Sequence, residues 1–286
     1  CCPGIKAAAV SDEDIMERAL DFFDAVFFPG SIGSALAVEM YGGVYRAAVR
    51  DFVRRGGCYI GVCGGCYAAV REFQLRPAAR TVLSGAIRNP GPLRDTFGDF
   101  SEFDSRIGRK TGRAASTGVA KALMRGKLKT FGLINAAAAA PAFFGDPRFL
   151  REEWSRLVTE GRLLRVGMVI ADTPHPLTAG HAGQKVISAY SGGAILEDLG
   201  YGVTPLASYG PPCEAVPEAN GKVAIALARH GDGLVIVSGV DFYLPFEAEP
   251  GVRVRTGMSP SVPWLTRRIV SGHADCRKRS VPSQDS

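Results

Sequence analysis

Gly57-Cys-Tyr-Ile-Gly-Val-Cys-Gly-Gly-Cys-Tyr-Ala-Ala69 decides the reading of this chain. A run of β-branched and aromatic residues passes through Gly61-Val-Cys-Gly-Gly65 straight into helix-forming residues. A strand that turns sharply into a helix forces the residue at the bend into an unfavourable backbone conformation. The residues two before and two after it must then be tiny, and Gly61 and Gly65 hold those positions around Cys63. The spacing predicts a nucleophile elbow with Cys63 at the mouth of a pocket. The first helical turn would supply free amides that lower the thiol pKa and favour an anion. The Gly64 amide is placed as one oxyanion donor, and the Gly30-Ser31-Ile-Gly33 loop, at the end of a neighbouring strand, as the source of a second. The same segment also fits a plainer reading, in which Cys63 is a small buried apolar residue among packing glycines.

Outward from the elbow, short apolar runs alternate with amphipathic ones. Ile5–Val10, Asp24–Phe28 and Cys58–Val62 read as buried strands. Asp12–Phe23, Val44–Arg55 and Gly64 to about Phe73 read as helices. This alternation predicts an α/β fold with a doubly wound, mostly parallel sheet and helices on both faces. Ile87–Thr117 reads as a long loop or insertion, Asn135–Ala140 and Pro147–Glu160 as helices, and Leu163–Ala171 as a strand. The C-terminal part is β-rich: Lys185–Tyr190, Val203–Tyr209, Lys222–Arg229 and Gly233–Ser238 read as strands, the last two joined by the turn His230-Gly-Asp-Gly233. A helix over Ser261–Ser271 closes the unit. Residues 1–272 are read as one domain with an insertion at about 88–160, and 273–286 as a basic, disordered tail.

The formal charge is +6, with clusters at Arg106–Arg113 and Arg267–Arg279. No aromatic residues interleave with these charges, so they read as solvated faces and no nucleic-acid partner is expected. The longest nearly apolar stretch, Phe131–Gly145, carries Asn135 and Pro141 and is too short for a bilayer, so no membrane partner is expected either. Seven cysteines are an odd, sparse set that points to a reducing compartment, the cytoplasm. The chain opens Cys1-Cys2-Pro3 without an initiator Met, as if a leading segment had been trimmed. No cofactor and no metal are expected, because Cys63-Gly-Gly-Cys66 has no second C-x-x-C or H-x-x-x-H to complete a site.

Four runs, Phe27-Phe-Pro-Gly30, Tyr41-Gly-Gly-Val-Tyr45, Val49-Arg-Asp-Phe-Val-Arg-Arg-Gly-Gly57 and Tyr59-Ile-Gly-Val-Cys-Gly-Gly-Cys-Tyr67, resemble the biotin–protein ligase N-terminal domain family. That family belongs to the class I glutamine amidotransferase-like superfamily. His175-Pro-Leu-Thr-Ala-Gly180, Tyr190-Ser-Gly-Gly193 and Leu206-Ala-Ser-Tyr209 are similar to its distal half. The resemblance spans roughly residues 5–245 outside the middle insertion. It implies a flavodoxin-like fold and a small-molecule ligand at the elbow, bound by Gly30, Ser31, Gly33, Gly64, Gly65, Cys66 and Tyr67.

The resemblance also implies that Cys63 is the nucleophile for acyl transfer or amide hydrolysis. In relatives a histidine after a late strand serves as its base. Here the corresponding run is Gly239-Val-Asp-Phe-Tyr243, with Asp241 at the histidine's place and Tyr243 at that of the acid. Of the four histidines, His230 sits at the wrong end of its strand and His273 in the tail. His181 and His175 flank a loop, and His175 is the candidate base. Three readings therefore stand open. One is a cysteine-dependent enzyme acting through Cys63. Another is a non-catalytic ligand-binding or regulatory module, with the pocket retained and the base lost, Asp241 standing in place of the family histidine. The third is a thiol redox protein using Cys63 and Cys66, placed on one side of the first helical turn. A homo-oligomer is left open.

Overall fold

The computed structural model describes residues 5–30, 32–75, 125–146, 163–244 and 260–278, with single helical positions at 77, 122 and 148. Ser31, the proposed helix over 147–160, most of the proposed insertion and the last eight residues lie outside the described residues.

At the centre, β1 (Ala25–Phe28), β2 (Cys58–Val62) and β11 (Gly233–Ser238) run parallel, with β2 in the middle. Their C-terminal ends share one edge, so the residues that leave them (Gly30, Cys63 and Asp241) start from one place. Along β2 the side chains alternate: Tyr59 enters one apolar core, whereas Cys58, Ile60 and Val62 enter the other. The first core lies under α2 (Ile32–Arg54) and α3 (Gly64–Ala69). Leu265 and Ile269 of α4 (Pro263–Lys278) close the second. Helices thus lie on both faces of the central strands.

The rest of the sheet departs from a doubly wound plan. β3 (Val70–Gln74) pairs in parallel with β5 (Ile134–Ala139) and antiparallel with β4 (Lys127–Leu128). β6 (Leu164–Ile170), β7 (Lys185–Tyr190), β8 (Ile195–Glu197), β9 (Val203–Gly210) and β10 (Val223–His230) make only antiparallel pairs with one another and with their other neighbours. Among the described residues only three of ten pairings are parallel, which corrects the expectation of a mostly parallel sheet. Connections such as the His230–Gly233 turn are too short for a crossover helix, so the strands they join must return antiparallel. The protein is an α/β molecule built on a curled, mixed sheet.

Local differences have local causes. Ile5–Val10 forms no strand and is largely exposed. Asp12–Phe23 is not one helix: α1 (Asp12–Met16), capped reciprocally by Ser11 and Asp14, stops before left-handed Arg18, and a 3-10 turn covers Ala19–Phe22. That break buries both Ile15 and Leu20 while Phe22 stays outside. α2 begins twelve residues before its expected start and bends at Gly42, whose φ of 75° and ψ of −151° suit glycine alone. α3 stops at Ala69, because Val70 and Phe73 enter the sheet. The alanine run at 135–140 is strand rather than helix. Pairing on both sides, with β3 and β8, outweighs the few tenths of a kcal/mol per residue by which alanine prefers a helix. At the other end, α4 continues to Lys278, which corrects the expected disorder for 273–278. No described helix is long and apolar enough to cross a membrane.

Candidate functional site

Cys63 stands between β2 and α3 with φ 49° and ψ −103°, a left-handed conformation that costs a non-glycine residue about 1–3 kcal/mol. Two hydrogen bonds hold it there: its amide donates to the Ser238 carbonyl of β11 (2.8 Å), and its carbonyl accepts from Tyr67 N (3.2 Å). The flanking glycines have no room for a side chain. A Cβ on Gly61 would meet the Gly65 carbonyl oxygen at 2.6 Å, and one on Gly65 would strike the Phe28 carbonyl and lie 2.7 Å from Phe28 Cβ. Residues 61–65 make the sharp strand-to-helix bend that the glycine spacing predicts, but Cys63 is buried in the second apolar core, which corrects the expectation that it stands at the mouth of a pocket.

Two further strand ends converge on the thiol. A Cβ built on Gly30 would lie 3.0 Å from Cys63 Cβ, 3.1 Å from Asp241 Oδ1 and 3.5 Å from Cys63 Sγ. Asp241 follows β11 and is wholly buried. Ser191, just after β7, donates its hydroxyl proton to Asp241 Oδ2 at 2.6 Å, and its Oγ is 3.7 Å from Cys63 Sγ. Among the described residues Asp241 Oδ1 has no hydrogen-bond partner. Tyr243 completes the group: Gly30 N donates to its hydroxyl (3.4 Å), and its ring packs edge-on against Phe27, centroids 5.1 Å apart.

The electrostatics differ from those of an activated cysteine. Burial pushes the Cys63 thiol far above the ordinary thiol range, and the Asp241 carboxylate pushes it further. The Ser191 hydroxyl and the Gly64 amide oppose this without reversing it. The expectation that a helix start lowers this pKa is therefore corrected: α3 has only six residues, and Cys63 is only 9% exposed. Burial also raises Asp241 to about 6, against the opposing hydrogen bonds of the Ser191 hydroxyl and amide. Proton transfer from thiol to carboxylate is uphill, so the resting pair is a neutral thiol beside a carboxylate that ionises near neutrality. Tyr243 is raised by burial and then by Asp241.

The other expected site residues are distributed as follows. Gly64 lies at the thiol, and Gly65 is a packing position against Phe28. Gly33 lies in the first turn of α2. Cys66 is fully buried in the core opposite to that of Cys63, because the turn between them carries it across the sheet; the two thiols do not share one face, and both are free. Burial is the main cause that raises the Cys66 thiol too. Tyr67 donates to the Gly192 carbonyl (3.1 Å) and so steadies the turn that holds Ser191. His175 is placed elsewhere. The β6–β7 connection that carries it enters β7 at Lys185, whereas Ser191 leaves the other end, roughly 17 Å along a six-residue strand. There the Leu177 amide donates to its Nδ1 (3.2 Å), and burial lowers its pKa. His181 stacks on Trp264 of α4, centroids 3.7 Å apart. Among the described residues no histidine is one of the groups that act on the Cys63 thiol.

Ser191 is the site residue that sequence reasoning did not single out. Its signal was Tyr190-Ser-Gly-Gly193 directly after a strand, but only tertiary pairing brings that turn beside β11. Among the described residues no group of three or more His, Cys, Asp or Glu side chains could hold a metal ion.

No family model matches the chain, and no curated protein matches it. Among solved structures it is similar to the crystal structure of beta-galactosidase from Bacillus circulans sp. alkalophilus, with 10% identity and a TM-score of 0.31, over 90% of this chain and 22% of that one.

Proposed function

We propose that this protein is a glutamine amidotransferase-like domain, akin to the biotin–protein ligase N-terminal domain family, in which the elbow has become a binding site for a small molecule and no longer hydrolyses amides. The carrying observation is the buried Asp241 carboxylate beside Cys63, with one oxygen unpartnered. A general base must draw the thiol proton at neutral pH, and a carboxylate with a pKa of about 6 cannot do so for a thiol that it also destabilises as an anion. A buried acceptor without a donor instead costs free energy that a ligand N–H can recover. Gly30, which is exposed, gives the way in. The ligand class that fits is a small amidine or amine, whose cation faces Asp241 Oδ1.

The test pairs a reactive probe with a binding probe. Incubated at neutral pH with a diazoketone analogue of glutamine, the native chain should show no mass increase at Cys63, while Asp241→His should become labelled. In an NMR titration acetamidine should shift the Ser191 and Gly30 amides, neutral acetamide should not, and Asp241→Asn should abolish the shift. Labelling of native Cys63 that glutamine prevents would overturn the reading in favour of a cysteine-dependent enzyme.

A further inference from the structure

The opposite edge of the sheet carries a second concavity that the elbow does not use. A groove of about 240 Å³ is lined by Arg71, Gly132, Asn135, Tyr201, Arg229 and His230, among others. His230 ends β10 at the hairpin into β11, and Asp241 follows the far end of β11, so about six strand residues, roughly 17 Å, separate the groove from the elbow.

Its walls concentrate positive charge. Arg71 Nη1 is fixed by Asn135 Oδ1 at 2.6 Å, and the exposed Arg229 donates to the backbone carbonyl of Asp232 (3.3 Å). Behind the groove, Arg50 Nη1 donates to the carbonyls of Phe131 (2.6 Å) and Gly132 (2.8 Å), and a Cβ on Gly132 would meet both Arg50 and Arg46, at 3.3 and 3.5 Å. Two carboxylates that act on these arginines, Asp51 on Arg50 and Glu72 on Arg71, are already engaged, Asp51 with Arg54 (2.8 Å) and Glu72 with Lys127 (3.2 Å). The described ion pairs include none for Arg46, Arg50, Arg71 or Arg229. Burial is the main cause that disfavours the charged forms of Arg50 and His230; Arg46 and Arg54 add to it at Arg50, and Arg50 and Arg54 at His230, where a hydrogen bond with the Leu133 backbone opposes it. On the rim, the side chain of Tyr201 is 99% exposed, a large flat surface with nothing packed on it.

We infer that this groove binds a small dianion, a phosphate monoester carrying a planar ring, with the phosphate between Arg71, Arg229 and His230 and the ring over Tyr201. Guanidinium groups present paired N–H donors that match the oxygens of such an anion, and an incoming dianion relieves the repulsion among the cations behind it. The volume is below that of a drug-sized pocket, so the phosphate and one ring fill it. Ring-on-ring contact supplies affinity that the charge alone does not.

Calorimetry on the full chain, with phenyl phosphate, inorganic phosphate and malonate as probes, tests the assignment. Phenyl phosphate should bind with a Kd on the order of millimolar or better. Arg71→Ala combined with Arg229→Ala should weaken it by at least about tenfold. Tyr201→Ala should weaken phenyl phosphate and leave inorganic phosphate unchanged. Cys63→Ala should change nothing, which separates this groove from the elbow. In parallel, phosphate should raise the NMR titration midpoint of His230, because the anion favours the protonated ring. Equal binding by the native chain and the double arginine variant, or no binding at 10 mM of any probe, would overturn the proposal. Malonate binding more tightly than both phosphates would overturn the phosphate assignment.

Discussion

Asp241 determines what Cys63 can do. Beside a buried thiol, a histidine could accept the proton and leave a thiolate–imidazolium pair, whereas a carboxylate adds negative charge next to the sulfur and disfavours the thiolate. The same burial makes Asp241 a pH-dependent element of stability. Its folded pKa of about 6 lies above the ordinary aspartate value of 3.8, so its protonated form is favoured by folding. Its contribution is therefore complete below about pH 4 and is lost as pH rises through 6, a difference of about 3 kcal/mol at most. Asp241→Asn should remove this decline, so that in urea denaturation the variant gains on the native protein between pH 4 and 7 and runs parallel to it above. Parallel curves across the whole range would show that Asp241 is not held in its neutral form by burial.

At the scale of the element, the elbow is a packing solution between β2, α3 and β1. Gly65 lies against the Phe28 backbone, and Phe28 in turn stacks on Tyr59, ring centroids 5.0 Å apart. Gly65→Ala should cost about 3 kcal/mol, because the obstructing atoms belong to the main chain of a central strand and cannot step aside. Gly43→Ala is the internal contrast: a Cβ there meets nothing within 4 Å and its φ is not positive. That change should leave stability unaltered or raise it by about 0.5–1 kcal/mol. Thermal unfolding of the two variants checks the pair. The bend at Gly42 shows the reverse use of glycine, since there the backbone angle and not crowding excludes a side chain.

For the whole molecule, the two cores on either side of the central strands are closed differently. α2 and α3 cover one, and α4, reached from Asp241 through Ser261, covers the other. Ser261 accepts from Ala189 N (3.2 Å), and Thr266 donates to the Phe242 carbonyl (3.2 Å), so the start of α4 is tied both to β7 and to the segment that carries Asp241. Ile269 is fully buried beneath α4. Ile269→Ala should destabilise the protein by about 2–5 kcal/mol in denaturant titration.

Several of these features were legible in the amino-acid order, for a local reason. The strand Cys58–Val62, the bend at Cys63 and the small residues around it follow from steric limits that act within five residues, and the hairpin at His230–Gly233 from turn geometry. Strand direction and partner were not legible. The alanine run at 135–140 favours a helix by itself and becomes a strand only between β3 and β8, and the C-terminal strands turned the sheet mixed by pairing antiparallel. Tertiary structure alone brought Ser191 to Asp241, turned Cys66 into the opposite core from Cys63, and left His175 in the connection that enters β7 at the end away from Ser191. Those outcomes depend on which strand edges meet across the chain, and hydrogen bonding between distant segments decides that after local sterics have fixed each element.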